Sequence, residues 1–294
     1  MAIIGAGRVG RALGRRLREL GWKIGAVITR SAASARRAVR FIGAGKPHGS
    51  ITRRVLASHV ILIATPDDEI AAVAQELARI AAEELRGKVV LHTSGALDAR
   101  ALDPVKACGA AAGSMHPLQS FSGVAVPSLE GRMFAVEGDS QALRVARHIA
   151  RSLGGSPVRI PTGKKVLYHA AATMAASNVL AVEEAASQLL ISLGMRRKQA
   201  TRALLTLTRQ VLENLEQLGP RAAWTGPLSR GDYKVLETHL EVLRESPDEF
   251  AQAYEVLNRL TARVLTQDAP GMLAELDKIS ARTKVKAKVM GDNA

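Results

Sequence analysis

The chain has 294 residues, of which 47% are hydrophobic and 23% are charged, a balance that excludes a disordered protein. Its length predicts two ordinary domains. The single cysteine, Cys108, excludes an intramolecular disulfide, and no leader-like segment precedes the first motif. Apolar runs fall short of the roughly 20 residues needed to span a membrane. We therefore expect a cytoplasmic protein without a membrane anchor.

A net charge of +14 raises the question of a nucleic-acid partner. The basic residues are scattered along the chain, at Arg15, Arg53 and Arg202 among others, rather than clustered. We interpret this charge as a property of the composition and expect no nucleic-acid partner. The basic run over residues 278–288 is interpreted as a solvated tail.

Short β-branched runs alternate with helical patterns up to Pro161, which predicts an α/β fold with a doubly wound parallel sheet. The predicted strands cover residues 2–4, 23–28, 59–64, 88–92, 112–116, 133–137 and 157–160, and the helices between them cover 9–20, 32–41, 69–82 and 141–153. Beyond Pro161 the pattern predicts only helices, over 164–193, 197–218, 233–244 and 247–267. We thus predict a Rossmann domain over residues 1–161 and an all-helical domain over residues 162–294.

Three glycines, Gly5, Gly7 and Gly10, have the G-x-G-x-x-G spacing directly after the first strand. The first makes a tight turn, the second lets the backbone approach a pyrophosphate, and the third lets helix and strand pack closely. The helix that begins with Arg8 and Val9 offers free N–H groups to the phosphates. This pattern predicts a dinucleotide site.

The end of the second strand indicates which dinucleotide is bound. NAD-binding units carry an acidic residue there, whereas this chain has Arg30 and Ser31. A guanidinium and a hydroxyl suit a 2′-phosphate. We therefore predict that the cofactor is NADP(H).

Residues that follow the later strands are expected at the same edge of the sheet. Thr65 and Pro66 are predicted to line the nicotinamide ribose, and Ser94 to contact the substrate or the cofactor amide. His116, at the end of the next strand, places an imidazole at the edge of the cleft. No cluster in the sequence predicts a metal site.

Hydride transfer needs a proton donor and a group that stabilises developing negative charge. The start of the long helix supplies Lys165 and His169, one turn apart, as candidate donors. Lys164, Tyr168 and Asn178 are predicted to share another face of that helix, with Lys164 binding and Asn178 orienting the substrate. In the loop over 224–231, Arg230 is a candidate clamp for a substrate carboxylate.

Several motifs together resemble the bacterial Rossmann-like family whose helical C-terminal half is domain of unknown function 2520. They are the Gly5/Gly7/Gly10 turn, Ala64-Thr65-Pro66-Asp67-Asp68, Ser94-Gly95, His116-Pro117-Leu118-Gln119-Ser120-Phe121, Tyr168-His169-Ala170-Ala171, Ser177-Asn178, Thr225-Gly226-Pro227 and Arg230-Gly231-Asp232. The resemblance extends over nearly the whole chain.

Such proteins are similar in architecture to pyrroline-5-carboxylate reductase, ketopantoate reductase and the 6-phosphogluconate dehydrogenase superfamily. The resemblance implies an active site between the domains, a homodimer formed through the helices, and ketopantoate as one candidate substrate. The Lys-x-x-x-Asn pair usual in that superfamily is absent, because Tyr168 and His169 stand four residues after the two lysines.

These observations predict an NADPH-dependent reductase of a small carbonyl or imine acid. Lys165 or His169 is then the proton donor, and Arg230 or His116 holds the substrate carboxylate. The alternative is a non-catalytic NADP(H)-binding sensor or partner-binding protein, and a basic nucleic-acid binder comes third. The polar cluster on the long helix favours the enzyme, because a sensor does not need it.

Overall fold

The computed structural model describes residues 1–291, and the side chains at all of these positions except 54, 56 and 285–291. Its described residues form one sheet of eight strands in the order β3-β2-β1-β4-β5-β6-β7-β8. The strands are β1 Ala2–Ile4, β2 Ala26–Ile28, β3 Lys46–His48, β4 Val60–Ile63, β5 Val89–His92, β6 Ala111–Pro117, β7 Met133–Gly138 and β8 Ser156–Arg159. Residues 162–291 are helices, turns and loops. The predicted fold class, a Rossmann sheet followed by a helical part, is confirmed.

One pairing departs from the predicted parallel sheet, because β6 and β7 run antiparallel while all other neighbours are parallel. The connection between them, residues 118–132, contains no helix. A parallel pair needs a crossover of a dozen or more residues, usually helical. Without that crossover the chain returns beside β6 in the opposite direction.

Helices cover both faces of the sheet. They are α1 Arg8–Glu19, α2 Ala32–Ile42, α3 Asp67–Ala81, α4 Asp103–Ala107 and α5 Ser140–Ser152. Side chains of α1, α2 and α5 pack in one buried cluster with the strands, and those of α3 and α4 pack in a second cluster on the opposite face. This arrangement leaves the carboxyl ends of the strands free to carry a site.

Strand β3 is absent from the sequence prediction. Its residues, Lys-Pro-His, lack the β-branched pattern, and a proline removes one backbone donor. It is tolerated because β3 lies at the edge of the sheet, where it pairs only with β2.

The predicted long helix over 164–193 is divided into three parts. Helix α6, Lys165–Thr173, is followed by a π-helical turn, Met174–Asn178, and then by α7, Val179–Ser192. The Ser177 hydroxyl donates to the Thr173 carbonyl at 3.3 Å. Such a side-chain bond competes with the regular ladder and is typical of bent helices.

The remaining helices are α8 Arg197–Leu218, α9 Pro220–Ala223, α10 Tyr233–Leu243, α11 Asp248–Leu265 and α12 Ala269–Gly291. Leu236, Leu240, Ala262, Leu276 and Ile279 form a core between the last three of them. The prediction of a solvated tail over 278–288 is therefore wrong, since α12 includes this segment and Ile279 is fully buried. Side chains from 285 onward lie outside the described ones.

The chain divides into two compact units, Met1–Asn178 and Val179–Ala294. The division falls 17 residues later than the predicted one at 161, because the α6 residue Lys165 is buried against the sheet edge. No helix among residues 1–291 has the length and apolar character of a membrane span.

Candidate active site

A groove of about 540 Å³ lies at the carboxyl edge of the sheet, where β1 and β4 meet. Its walls come from the loops that follow β1, β2, β3 and β4, and they include Gly5, Gly7, Arg30, Thr65 and Pro66. In a doubly wound sheet this is the point where strand order reverses and ligands bind.

The glycines adapt the groove to a ligand that approaches the backbone. Gly5 has φ +86°, and a Cβ there would lie 2.5 Å from the Thr65 nitrogen. A Cβ on Gly10 would lie 2.1 Å from the Gly5 carbonyl oxygen, so α1 packs directly on the turn. No described atom lies within 4 Å of a Cβ built on Gly7, which leaves the start of α1 open to the groove. Arg8 is exposed, and the Val9 side chain packs against the core.

At the end of β2, Arg30 and Ser34 line the groove. The Ser31 hydroxyl instead accepts from the Ser34 N–H at 3.2 Å and caps α2. Arg37 donates to the Ser34 hydroxyl at 2.9 Å. The serine that lines the groove is thus Ser34, one helical turn after the residue that the sequence indicates.

The Thr65 hydroxyl is one of the few buried polar atoms in the described structure that have no hydrogen-bond partner. Such a group costs about 1–3 kcal/mol unless a ligand or water satisfies it. Because Thr65 lines the groove, its hydroxyl is available to a bound molecule.

Lys165 lies at the same edge of the sheet, next to the end of β5 and to β6. Only 1% of this residue is exposed, and its Nζ donates to the Ser94 carbonyl at 2.5 Å and to the Ser114 hydroxyl at 2.9 Å. Both acceptors are neutral. Burial therefore lowers the pKa of Lys165 to about 8, against the opposing influence of the Glu137, Asp67 and Asp98 carboxylates.

Three aromatic side chains lie together at the end of β6. His116 Nδ1 is 2.8 Å from the Tyr168 hydroxyl, and the His116 and His169 rings meet edge to face with centroids 5.9 Å apart. The two imidazole rings lie over Gly95, where an added Cβ would be 2.4 Å from His169 and 2.9 Å from His116. Burial, together with the Lys165 charge, lowers the pKa of His116 to about 4, and burial raises the pKa of Tyr168 to about 12. Both groups are neutral near pH 7.

The Ser94 hydroxyl does not face the groove. It donates to the Asp67 carboxylate at 2.7 Å and accepts from the backbone N–H groups of Ala96 and Leu97. A hydroxyl has one donor and two acceptor positions, so these three bonds occupy it fully. Ser94 contributes its carbonyl to Lys165 instead of a hydroxyl to a ligand.

The other candidates from the helical region, Lys164, Asn178 and Arg230, are exposed. Lys164 is exposed at the start of α6, and Asn178 is exposed in the π turn. The extra residue in a π turn rotates later side chains by about 100°, so the predicted face shared with Tyr168 does not continue to Asn178. Arg230 is in the second unit, where it pairs with Asp232 at 3.1 Å.

The structure thus brings together three residues that the sequence indicates separately, Lys165, His169 and His116, with Tyr168 beside them. Ser114, His92 and Ser34 are not predicted as site residues. Ser114 and His92 are polar residues in buried strands of the predicted sheet, a signal that could have selected them. Ser34 has no comparable signal.

Two family models match the chain. The Rossmann-like domain matches residues 1–117, and the domain of unknown function DUF2520 matches residues 132–261. The resemblance that the motifs predict is confirmed by both. No curated protein matches the chain.

Several solved structures are similar. Protein TM1727 from Thermotoga maritima is 26% identical, with a TM-score of 0.67 over 90% of this chain and 97% of that chain. A reductive aminase from Aspergillus terreus, solved with NADPH and ethyl-5-oxohexanoate, is 20% identical, with a TM-score of 0.68 over 89% and 93%. A pyrroline-5-carboxylate reductase from Coxiella burnetii is 16% identical, with a TM-score of 0.58 over 96% of both chains. The last two likenesses show the fold alone.

Proposed function

We propose that this chain is a cytoplasmic, NADP(H)-dependent oxidoreductase that reduces a small carbonyl or imine acid, with ketopantoate as one candidate substrate. The observation that carries the proposal is the buried Lys165, whose pKa is about 8, at the same sheet edge as the dinucleotide groove. A general acid is most effective when its pKa lies near the working pH. The similar fold of a reductive aminase and a pyrroline-5-carboxylate reductase supports the same reaction class.

The groove fits the cofactor. The open backbone at Gly7 and the free N–H groups at the start of α1 suit a pyrophosphate, and the unpartnered Thr65 hydroxyl suits a ribose. Arg30 and Ser34 supply a cation and a hydroxyl for the 2′-phosphate. When bound, NADPH supplies the hydride for the substrate carbon.

The chain's own residues then supply the proton. Lys165 in its ammonium form donates a proton to the substrate oxygen or nitrogen, where negative charge develops, and becomes the neutral amine. His169 is the alternative donor. Ser94 and Ser114 hold the Lys165 amine in place, and His116 and Tyr168 present neutral polar groups to the substrate. We retain Arg230 as the candidate partner of the substrate carboxylate.

A panel of keto and imino acids, with NADPH oxidation followed at 340 nm, tests this function. We expect one class of acid to be reduced in a stoichiometric reaction. If NADPH binds tightly but no acid of the panel is reduced, the alternative of a non-catalytic NADP(H)-binding sensor takes precedence.

Cofactor choice is testable at Arg30. We expect NADPH to bind at least ~10-fold more tightly than NADH, equivalent to about 1.4 kcal/mol, and Arg30→Asp to narrow or reverse that ratio because the charge beside the 2′-phosphate is inverted. Fluorescence titration with both cofactors measures it. Arg36→Asp is the matched control, since Arg36 is exposed on helix α2, which begins two residues after Arg30, and it does not line the groove. Equal affinities in the unmodified protein would remove the basis for NADP(H).

We also propose a homodimer formed through the helical part. Apolar side chains of α7 and α8 are widely exposed, among them Leu180 at 70%, Leu207 at 62% and Leu212 at 55%. The described residues of α7 and α8 include only two buried ones, Ser187 and Ala200. Exposed apolar surface of this extent is typical of an interface, and a second copy of the chain is the partner that we propose.

Light scattering after size exclusion tests the dimer. We expect a mass of two chains, and Leu207→Lys should weaken association at least ~10-fold, because a charge replaces a leucine side chain that the proposed interface covers. Val124→Lys is the control, since Val124 is equally apolar and 91% exposed but lies outside both helices. A monomer at micromolar concentration in the unmodified protein would contradict the proposal.

A further inference from the structure

His92 is completely buried at the end of β5, and the proposed reaction does not use it. The Ser94 N–H lies 3.2 Å from Nδ1, and the Asp98 carbonyl oxygen lies 3.1 Å from Nε2. A backbone N–H can only donate and a carbonyl can only accept. Both bonds form together only when the ring is neutral with its proton on Nε2.

Two bonds hold Ser94, one at its backbone N–H and one at its side chain. His92 Nδ1 accepts from the Ser94 N–H, and the Asp67 carboxylate accepts from its hydroxyl at 2.7 Å. The Ser94 carbonyl is then left as the acceptor for Lys165 Nζ. A buried ammonium is stable only where such acceptors are held toward it.

We propose that His92 is a positioning residue whose neutral imidazole holds the Ser94 carbonyl on the Lys165 ammonium. This inference rests on the proposed function, in which Lys165 is the proton donor. His92 itself touches neither reacting group. It acts on the proton of Lys165 through the backbone of Ser94, whose N–H it holds and whose carbonyl belongs to the next peptide unit.

The surroundings favour an uncharged ring at this position. Lys165 is nearby, and so is His116 on β6, while carboxylates face the pair from Asp98, Asp67 on α3 and Glu137 on β7. Burial and the Lys165 charge lower the pKa of His92 to about 3, against the weaker opposing influence of Asp98. If the ring were protonated, its Nδ1–H would point at the Ser94 N–H, and two donors would face each other. His92 thus stays neutral over the range in which Lys165 titrates.

Two isosteric substitutions separate the two bonds of the ring. In His92→Asn the side-chain amide oxygen can occupy the position of Nδ1 and accept from Ser94, whereas the bond to Asp98 is lost. In His92→Gln the amide nitrogen can occupy the position of Nε2 and donate to Asp98, whereas the bond to Ser94 is lost. Both variants are neutral and similar in polarity, so each is the control for the other.

The measurement is the pKa of Lys165 itself. It is followed by NMR of the full chain with ¹³C-labelled lysine, and the signal is assigned by its loss in Lys165→Met. We expect His92→Gln to lower this pKa by about 0.5–1 unit, because the ammonium loses a fixed acceptor, and His92→Asn to leave it near that of the unmodified protein. This measurement needs neither cofactor nor turnover, so it stays informative if the proposed reductase activity fails.

An unchanged Lys165 pKa in a folded His92→Gln variant would overturn the proposal, as would equal shifts in both variants. If the variants do not fold, the unmodified protein decides. Long-range ¹H–¹⁵N spectra of its histidines should show one neutral ring, protonated at Nε2, that does not titrate between about pH 5 and 8. If no histidine shows that tautomer, the proposal is overturned.

Discussion

Lys165→Met is expected to lower turnover by ~10²–10⁴-fold and to leave NADPH affinity almost unchanged, because a positioned proton donor contributes a factor of this order. Methionine keeps the length and apolar stem of the side chain but removes the amine that donates to Ser94 and Ser114. In the proposed binding mode the cofactor phosphates lie elsewhere, at the Gly5–Gly7 turn, so binding and turnover should separate. Steady-state kinetics with the best acid of the panel and cofactor titration measure the two effects.

Lys164→Met is the matched comparison, since it makes the same change one residue earlier at an exposed position. A large loss there would support the prediction from sequence that Lys164 binds the substrate. His169→Ala tests the alternative donor in the same assay. If neither Lys165→Met nor His169→Ala slows the reaction by about threefold, these helix residues are structural and His116 becomes the candidate donor.

Most of the sheet could be predicted from sequence because its strands are short apolar runs buried on both faces. Strand β1 and helix α8 match their predicted bounds, Ala2–Ile4 and Arg197–Leu218. Strand β3 could not be predicted, because an edge strand needs no apolar pattern. Strand β7 runs antiparallel to β6 because residues 118–132 form no helix. The pattern of the strands alone does not reveal this direction.

The site, like the sheet, could be predicted only where the signal in the sequence is local. The glycine turn is local, so its spacing alone predicts the close contacts that Gly5 and Gly10 make. Lys165 and His169 follow from the helical period because they lie within one regular turn. Asn178 does not, since the π turn changes the angle before it is reached.

Spacing in the sequence does not predict hydrogen bonds between residues that are far apart along the chain. The Lys165 amine meets the Ser94 carbonyl 71 positions earlier and the Ser114 hydroxyl 51 positions earlier. Only the fold brings these groups together, and only their burial lowers the Lys165 pKa. The sequence could therefore select the lysine without showing why it titrates near neutral pH.

That titration yields a prediction for the pH dependence of reduction. The donor must carry its proton, and burial lowers the Lys165 pKa to about 8, so kcat for reduction should be level below that pH and fall above it. The protonated fraction drops about tenfold for each further pH unit, which gives a loss of roughly 100-fold by about pH 10. In the oxidation direction the neutral amine is the base, so the rate should instead rise up to about pH 8.

The fall in kcat above about pH 8 can be assigned to Lys165 only if it is absent once the amine has been removed. In Lys165→Met the residual rate should show no break near pH 8, and a deuterium isotope effect with labelled NADPH shows whether hydride transfer is the step observed. His116 should add no limb between about pH 5 and 8, because its pKa is already lowered to about 4. A flat profile of the unmodified enzyme from about pH 7 to 9.5, with a full isotope effect, would exclude Lys165 as the donor.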